Sequence, residues 1–142
     1  MTERVLLVDD EIEFLEIMAE RMRTRDMQVT TSTSATEALE LIATESYDAV
    51  IMDFQMPEMD GIQALKAIRE KKPKMQIILL TGHATVEKGV EAMKAGAMDF
   101  VEKPADLDAL SEKIKKAHHQ KAVIVQKQSK DKVIEMLKKY GM

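Results

Sequence analysis

The apolar run Ala49-Val50-Ile51-Met52, halted abruptly by Asp53, is the feature that most constrains what this chain can build. An unbroken apolar run of this length reads as a strand buried on both faces, as in a parallel sheet covered by helices. A carboxylate at the C-terminal end of such a strand lies where open α/β sheets place their chemistry. Pro57 and the Asp60-Gly61 pair then mark a turn, and an amphipathic helix follows. Taken alone, Asp53 reads equally well as a turn cap. The rest of the chain decides between the two.

In order, the chain alternates strand and helix signals. Arg4 to Val8 is a short apolar strand ending on Asp9-Asp10. Glu11 to Arg25 carries Ile12, Leu15, Met18 (or Ala19) and Met22 at helical spacing. Met27 to Ser32 is β-rich but less apolar, which suits an outer strand. Ser34, with Glu37 three residues on, is an N-cap for a helix carrying Ala38, Leu39, Leu41 and Ile42. Asp48 to Asp53 is the central strand, and Gly61 to Lys72 the helix stopped by Pro73. Gln76 to Leu80 is a strand ending at Thr81-Gly82-His83. Thr85 to Ala95 is a helix closed by Gly96 at C′. Met98 to Val101 is a last strand before Glu102-Lys103-Pro104, and Asp106 starts a helix through Leu107, Leu110, Ile114 and Ala117. The crossovers are too long for hairpins, so the pattern predicts a doubly wound (βα)5 fold: a five-stranded parallel sheet with helices on both faces. With the least apolar strand second, the flavodoxin-like order 2-1-3-4-5 is favoured.

Composition bounds the function. The 142 residues suit one domain with a sizeable core. There is no cysteine, so no disulfide framework and no thiolate nucleophile or ligand. The N-terminus is too short and too acidic for a signal peptide, and no apolar run approaches the ~18 residues of a membrane span. A cytoplasmic protein without membrane attachment is expected. The net charge of −4 hides an asymmetry: residues 1–110 hold 12 basic and 22 acidic residues, residues 111–142 hold 9 and 3.

The strand ends gather on one edge of the predicted sheet: Asp9 and Asp10, Asp53, Thr81, and Lys103. Three carboxylates there would raise each other's pKa unless a cation neutralised them. The hard-oxygen choice is Mg²⁺, which uses one or two carboxylates and leaves room for a phosphate oxygen. A Thr hydroxyl and a Lys ammonium suit phosphate oxygens as hydrogen-bond donor and point charge. The pattern points to a Mg²⁺-assisted phosphoryl site with a carboxylate acceptor. Singly, each residue has a blander role: Asp9-Asp10 as helix caps, Thr81 as a loop cap, Lys103 as surface charge, Phe100 as core. His83, His118 and His119 lack metal-like spacing with a carboxylate and read as non-ligands.

Val8-Asp9-Asp10-Glu11, Met52 through Gly61, Leu80-Thr81-Gly82-His83 and Phe100-Val101-Glu102-Lys103-Pro104 resemble the receiver domains of bacterial two-component response regulators. Gly82-His83-Ala84 and Ala95-Gly96-Ala97 are similar to the receivers of nitrogen-regulation-type transcription activators. The resemblance implies that Asp53 accepts a phosphoryl group from a sensor histidine kinase. It implies Mg²⁺ on Asp10, Asp53 and the backbone carbonyl of Gln55, with Asp9 acting through a water. It further implies that Lys103 and Thr81 contact the phosphoryl oxygens, that Phe100 is a switch aromatic, and that Lys103-Pro104 is cis. Gln55 and His83 would tune phosphoryl lifetime. The resulting face of fourth helix, fifth strand and fifth helix would bind a partner or a second copy. Such a chain is a phosphoacceptor that catalyses its own phosphoryl transfer and autodephosphorylation, rather than an enzyme on a separate substrate.

Rival readings fit less well. A haloacid-dehalogenase-type, Mg²⁺-dependent phosphohydrolase would want Asp where Gln55 stands. A flavodoxin-type binder would need Asp9-Asp10-Glu11 to accept a phosphate. A receiver that scaffolds without phosphorylation is the remaining alternative. Residues 1–118 are expected to form the receiver and 119–142 a helical tail with no separate output domain. In the tail, Ala122–Val125 and Val133–Leu137 are amphipathic, with Ser129 between them. The nine Lys after position 110 read as a solvated face rather than a direct DNA contact.

Overall fold

The computed structural model describes residues 2–104, 106–120 and Ile134. Five strands, β1 (Arg4–Val8), β2 (Gln28–Ser32), β3 (Ala49–Asp53), β4 (Ile77–Thr81) and β5 (Asp99–Glu102), form one parallel sheet in the order β2-β1-β3-β4-β5. The connections carry α1 (Ile12–Arg23), α2 (Ala35–Thr44), α3 (Gly61–Lys71) and α4 (Val86–Lys94). A fifth helix, α5, occupies residues 107–120. The expected fold and strand order are borne out.

The continuous apolar runs are explained by two cores, one on each face. Val5, Leu7, Ala49, Ile51, Ile78 and Leu80 join Leu15, Met18 and Met22 of α1 with Leu110 and Ile114 of α5. The alternate residues Leu6, Val8, Val50, Met52, Ile77 and Leu79 join Ala38 and Ile42 of α2, Leu65 and Ile68 of α3, and Ala92 of α4. Successive strand residues thus point into opposite cores, and both must be apolar. β2, with only Ser32 buried, is one of the two edge strands.

Element ends differ from the sequence reading by one or two residues, and caps explain most of this. Glu11 is the N-cap of α1 rather than its first residue, and Asp26, at φ 64°, turns the chain after it. Ile12, read as part of the core stripe, is 59% exposed: the first turn of α1 overhangs the strand edge, and burial begins at Leu15. Ser34 caps α2 by accepting from the Glu37 N–H, and Thr85 caps α4 by accepting from that of Lys88. Gly96, at φ 104°, follows α4 as expected of a C′ glycine. The amphipathic segments at 122–125 and 133–137, and the break at Ser129, lie outside the described residues, Ile134 excepted.

Backbone hydrogen bonds continue past the strands and carry the loops in register. The Asp9 N–H donates to Ser32 O (3.1 Å), Phe54 N–H to Leu80 O (2.6 Å), and Lys103 N–H to Thr81 O (2.7 Å). The loop after Asp53 closes tightly, because Gly61 N–H donates to Phe54 O at 2.6 Å. Asp60 and Gln63 add a reciprocal capping box at the start of α3. A Cβ on Gly61 would meet Phe54 Cα at 2.8 Å and Phe54 O at 2.9 Å, whereas one on Gly82 would meet nothing within 4 Å. Gly61→Ala should therefore cost about 1–3 kcal/mol in urea unfolding, and Gly82→Ala about 0.5 kcal/mol or less. Equal costs for the two would contradict the close approach.

Candidate functional site

The C-terminal edge of the sheet brings Asp9, Asp10, Asp53 and Lys103 into one cluster, with Thr81 at the end of neighbouring β4. Asp9, Asp10 and Asp53 each offer a carboxylate oxygen, and these lie within 4.8 Å of one another. Asp9 is fully buried and Asp53 nearly so, while Asp10 faces solvent. Lys103 reaches across from beyond β5. Its Nζ is 2.6 Å from Asp9 Oδ2, 3.6 Å from Glu11 Oε1 and 3.8 Å from Asp53 Oδ2.

Electrostatics follow from this geometry. Burial, with the nearby Asp9 charge second, pushes the Asp53 carboxyl up to about 6, and Lys103 offsets only part of the rise. Burial also raises Asp9, against the contact with Lys103. For Lys103, burial alone would lower the pKa, but the contact with Asp9 and the charges of Asp53 and Glu11 outweigh it, and the ammonium is held charged.

The cluster fits a divalent cation. Asp9 Oδ2 is buried and, beyond its charge contact with Lys103, has no hydrogen-bond partner. Three carboxylates against one lysine leave uncompensated negative charge in a half-buried oxygen-only site, the chemistry a hard cation relieves. Among the described residues this is the one acidic group of that kind.

The loops above the cluster are ordered by local bonds. Asp9 Oδ1 accepts from the Glu11 N–H at 2.9 Å, and Asp53 Oδ1 accepts from the Gln55 N–H at 3.4 Å. The Thr81 hydroxyl is engaged with its own loop, donating to His83 O (3.3 Å) and accepting from His83 N–H (3.2 Å). The His83 and Gln55 side chains are exposed. Phe100 is half-buried; its ring meets Phe54 edge-on, with centroids 5.9 Å apart, and faces Gly89 of α4. The Lys103-Pro104 peptide is cis.

Four contributors escape a reading of the sequence. Phe14 of α1 lies under the Lys103 ammonium, 4.5 Å from Nζ to ring centroid, as a cation–π partner. Its position one turn after Asp9-Asp10 was the available signal. Glu11 adds a carboxylate to Lys103 beyond those of Asp9 and Asp53. Glu58 Oε2 accepts from Ser34 Oγ (2.9 Å) and Thr36 Oγ1 (3.1 Å), tying the loop after Asp53 to the start of α2. Glu102 Oε2 accepts from the Ala84 N–H at 2.8 Å. Away from the site, His118 Nδ1 lies 2.8 Å from Asp48 Oδ1, a carboxylate partner that the spacing did not reveal.

A doubly wound parallel sheet with a carboxylate trio, a threonine and a lysine on its C-terminal edge has its polar groups where open α/β sheets bind ligands. The response regulator receiver domain family matches residues 5–115, and the chain belongs to that family. It is 41% identical over 108 residues to the regulatory protein AtoC of Escherichia coli K12, covering 76% of this chain and 23% of AtoC. A response regulator receiver domain protein from Clostridium thermocellum superposes with a TM-score of 0.81 at 32% identity, covering 86% of this chain and 98% of that one. The beryllofluoride-activated NtrC4 receiver domain dimer superposes with a TM-score of 0.78 at 31% identity, covering 82% and 97%. The chain spans about a quarter of the length of the curated relatives it matches.

The Asp53 carboxyl yields a pH prediction. Its folded pKa is raised above the ordinary 3.8, so its contribution to stability is fully present below pH 3.8 and is lost as pH rises through about 6. Asp53→Asn removes that loss. In metal-free buffer the variant should exceed the wild type by about 1–3 kcal/mol at pH 7.5, with the gap closing toward pH 4. A constant gap across that range in urea titrations would contradict the shift.

Proposed function

We propose that this receiver is a phosphorylation-operated switch in which Asp53 takes a phosphoryl group from a phosphohistidine of a sensor kinase. The observation that carries this reading is the nearly buried Asp53 carboxylate with Asp9 and Asp10 beside it and Lys103 Nζ 3.8 Å away. An Asp53 oxygen would attack phosphorus, forming an O–P bond as the N–P bond breaks and the electron pair returns to the imidazole. Lys103 is charged and within reach of the incoming phosphoryl oxygens. The Thr81 hydroxyl can donate to one of them once it releases His83 O. Asp9, Asp10, Asp53 and the Gln55 carbonyl are the groups that would hold Mg²⁺. When bound, that cation would keep Asp53 ionised and neutralise phosphoryl charge. The same site would later release phosphate by autodephosphorylation, with Gln55 and His83 at its exposed rim as lifetime determinants.

In this reading residues 1–118 form the switch unit, the setting is cytoplasmic, and the output is a population shift. Phe100 meets Phe54, next to Asp53, and its ring lies 3.4 Å from where a Cβ on Gly89 of α4 would sit, which gives the change a route to the α4–β5–α5 face. Val86, Val90 and Met93 are exposed on α4 and suit a partner or a second copy there.

Intact mass after incubation with acetyl phosphate tests the acceptor. A single phosphoryl adduct should form with Mg²⁺, vanish with a chelator, and be missing from Asp53→Ala. An adduct that survives in Asp53→Ala would refute the assignment.

A further inference from the structure

Between β4 and α4, residues Gly82–Ala84 form a short loop fastened at three points. Thr81 Oγ1 both donates to and accepts from His83. Lys88 Nζ, from the first turn of α4, donates to the same His83 O at 3.0 Å. Glu102 Oε2, from the end of β5, accepts from the Ala84 N–H at 2.8 Å. None of these four bonds involves Asp53. Together they favour an arrangement in which the Thr81 hydroxyl has spent its donor on the loop.

The arrangement has a consequence for signalling. Thr81 cannot donate to a group on Asp53 while it donates to His83 O, so engagement breaks that bond and loosens the hold on the loop. Thr81 is anchored at its other end, because its carbonyl accepts from Lys103 N–H and its side chain is buried. A shift that follows would fall on Gly82–Ala84, where Gly82 has open space around it. Glu102 is exposed and Lys88 half-buried, and their side chains end on backbone atoms of that segment, with Lys88 Nζ also 5.5 Å from the Phe54 ring centroid. They form no part of the carboxylate cluster. Glu102 is paired in register with Thr81, across β4 and β5, which aims its side chain at that loop.

We propose that Glu102 and Lys88 are positioning residues that latch the β4–α4 loop in its resting arrangement and so set how readily the site responds to a phosphoryl group. The proposal rests on the reading of Asp53 as phosphoacceptor. A latch present in the resting state and absent in the engaged state lowers apparent affinity by the fraction of molecules it withholds. Removing it should raise that affinity without any new contact to the ligand.

Beryllofluoride with Mg²⁺ serves as the phosphoryl probe, titrated into the full chain and followed by amide NMR. Glu102→Ala should lower the half-saturating concentration about threefold to tenfold, the span of one hydrogen bond to a partly solvated acceptor. Glu102→Gln keeps an acceptor oxygen and should stay near the wild type. Lys88→Met should move in the same direction as Glu102→Ala. In parallel, exchange of the Ala84 amide should quicken in Glu102→Ala and not in Glu102→Gln. An unchanged or higher midpoint in Glu102→Ala alongside faster Ala84 exchange would overturn the latch, as would an Ala84 amide that stays protected. Failure of the wild type itself to take up beryllofluoride would instead strike the phosphoacceptor reading, and the latch with it.

Discussion

The burial of ionisable carboxylates at one sheet edge is the constraint on which this molecule turns. Parallel β1 and β3 are adjacent, so their C-terminal ends deliver Asp9 and Asp53 side by side. Both are removed from water, and burial raises the pKa of each. A hydrophobic sheet edge would not tolerate this arrangement without compensation. Lys103 supplies one positive charge, drawn onto Asp9 and flanked by Glu11 and the face of Phe14. One cation against three carboxylates leaves a deficit, which is the physical basis for a divalent ion and for a site responsive to added phosphoryl charge.

The surrounding loops are built to hold that edge in a narrow range of shapes. Gly61 lets the chain fold back against Phe54 directly after Asp53, and Glu58 ties the same loop to the start of α2. On the other side, Arg69 of α3 donates to Gly96 O after α4 and to Pro73 O, fixing the far end of α4. α4 is thus fastened at its C-terminal end by Arg69, while its N-terminal end meets the responsive loop. It also buries only Ala92 and leaves Val86 84% exposed. A helix with so little core is the element most easily re-seated by a change at the strand edge.

The strand order was legible because burial dictates it: β1, β3 and β4 are apolar at nearly every position, and Gln28–Ser32 is not. The site was legible because each apolar run breaks on a charged or hydroxyl residue at the same relative place. What escaped the sequence is of a different kind. Ile12 fits the helical stripe by spacing, yet it lies beyond the sheet it was expected to cover. The Glu102 to Ala84 and Arg69 to Gly96 contacts join side chains to backbone groups 18 and 27 residues away. No periodicity marks such a bond, since the acceptor or donor on the backbone has no residue identity. His118 and Asp48 come together only because α5 packs over the sheet's other end.

The central claim is that Asp53 is an electrostatically strained carboxylate awaiting a cation. Carbon-detected NMR titration of its side chain, with and without Mg²⁺, tests this most directly. The account predicts an apparent pKa of about 6 in metal-free buffer and a clear fall when Mg²⁺ is added. A carboxyl that titrates near the ordinary 3.8 in both conditions, indifferent to Mg²⁺, would contradict it.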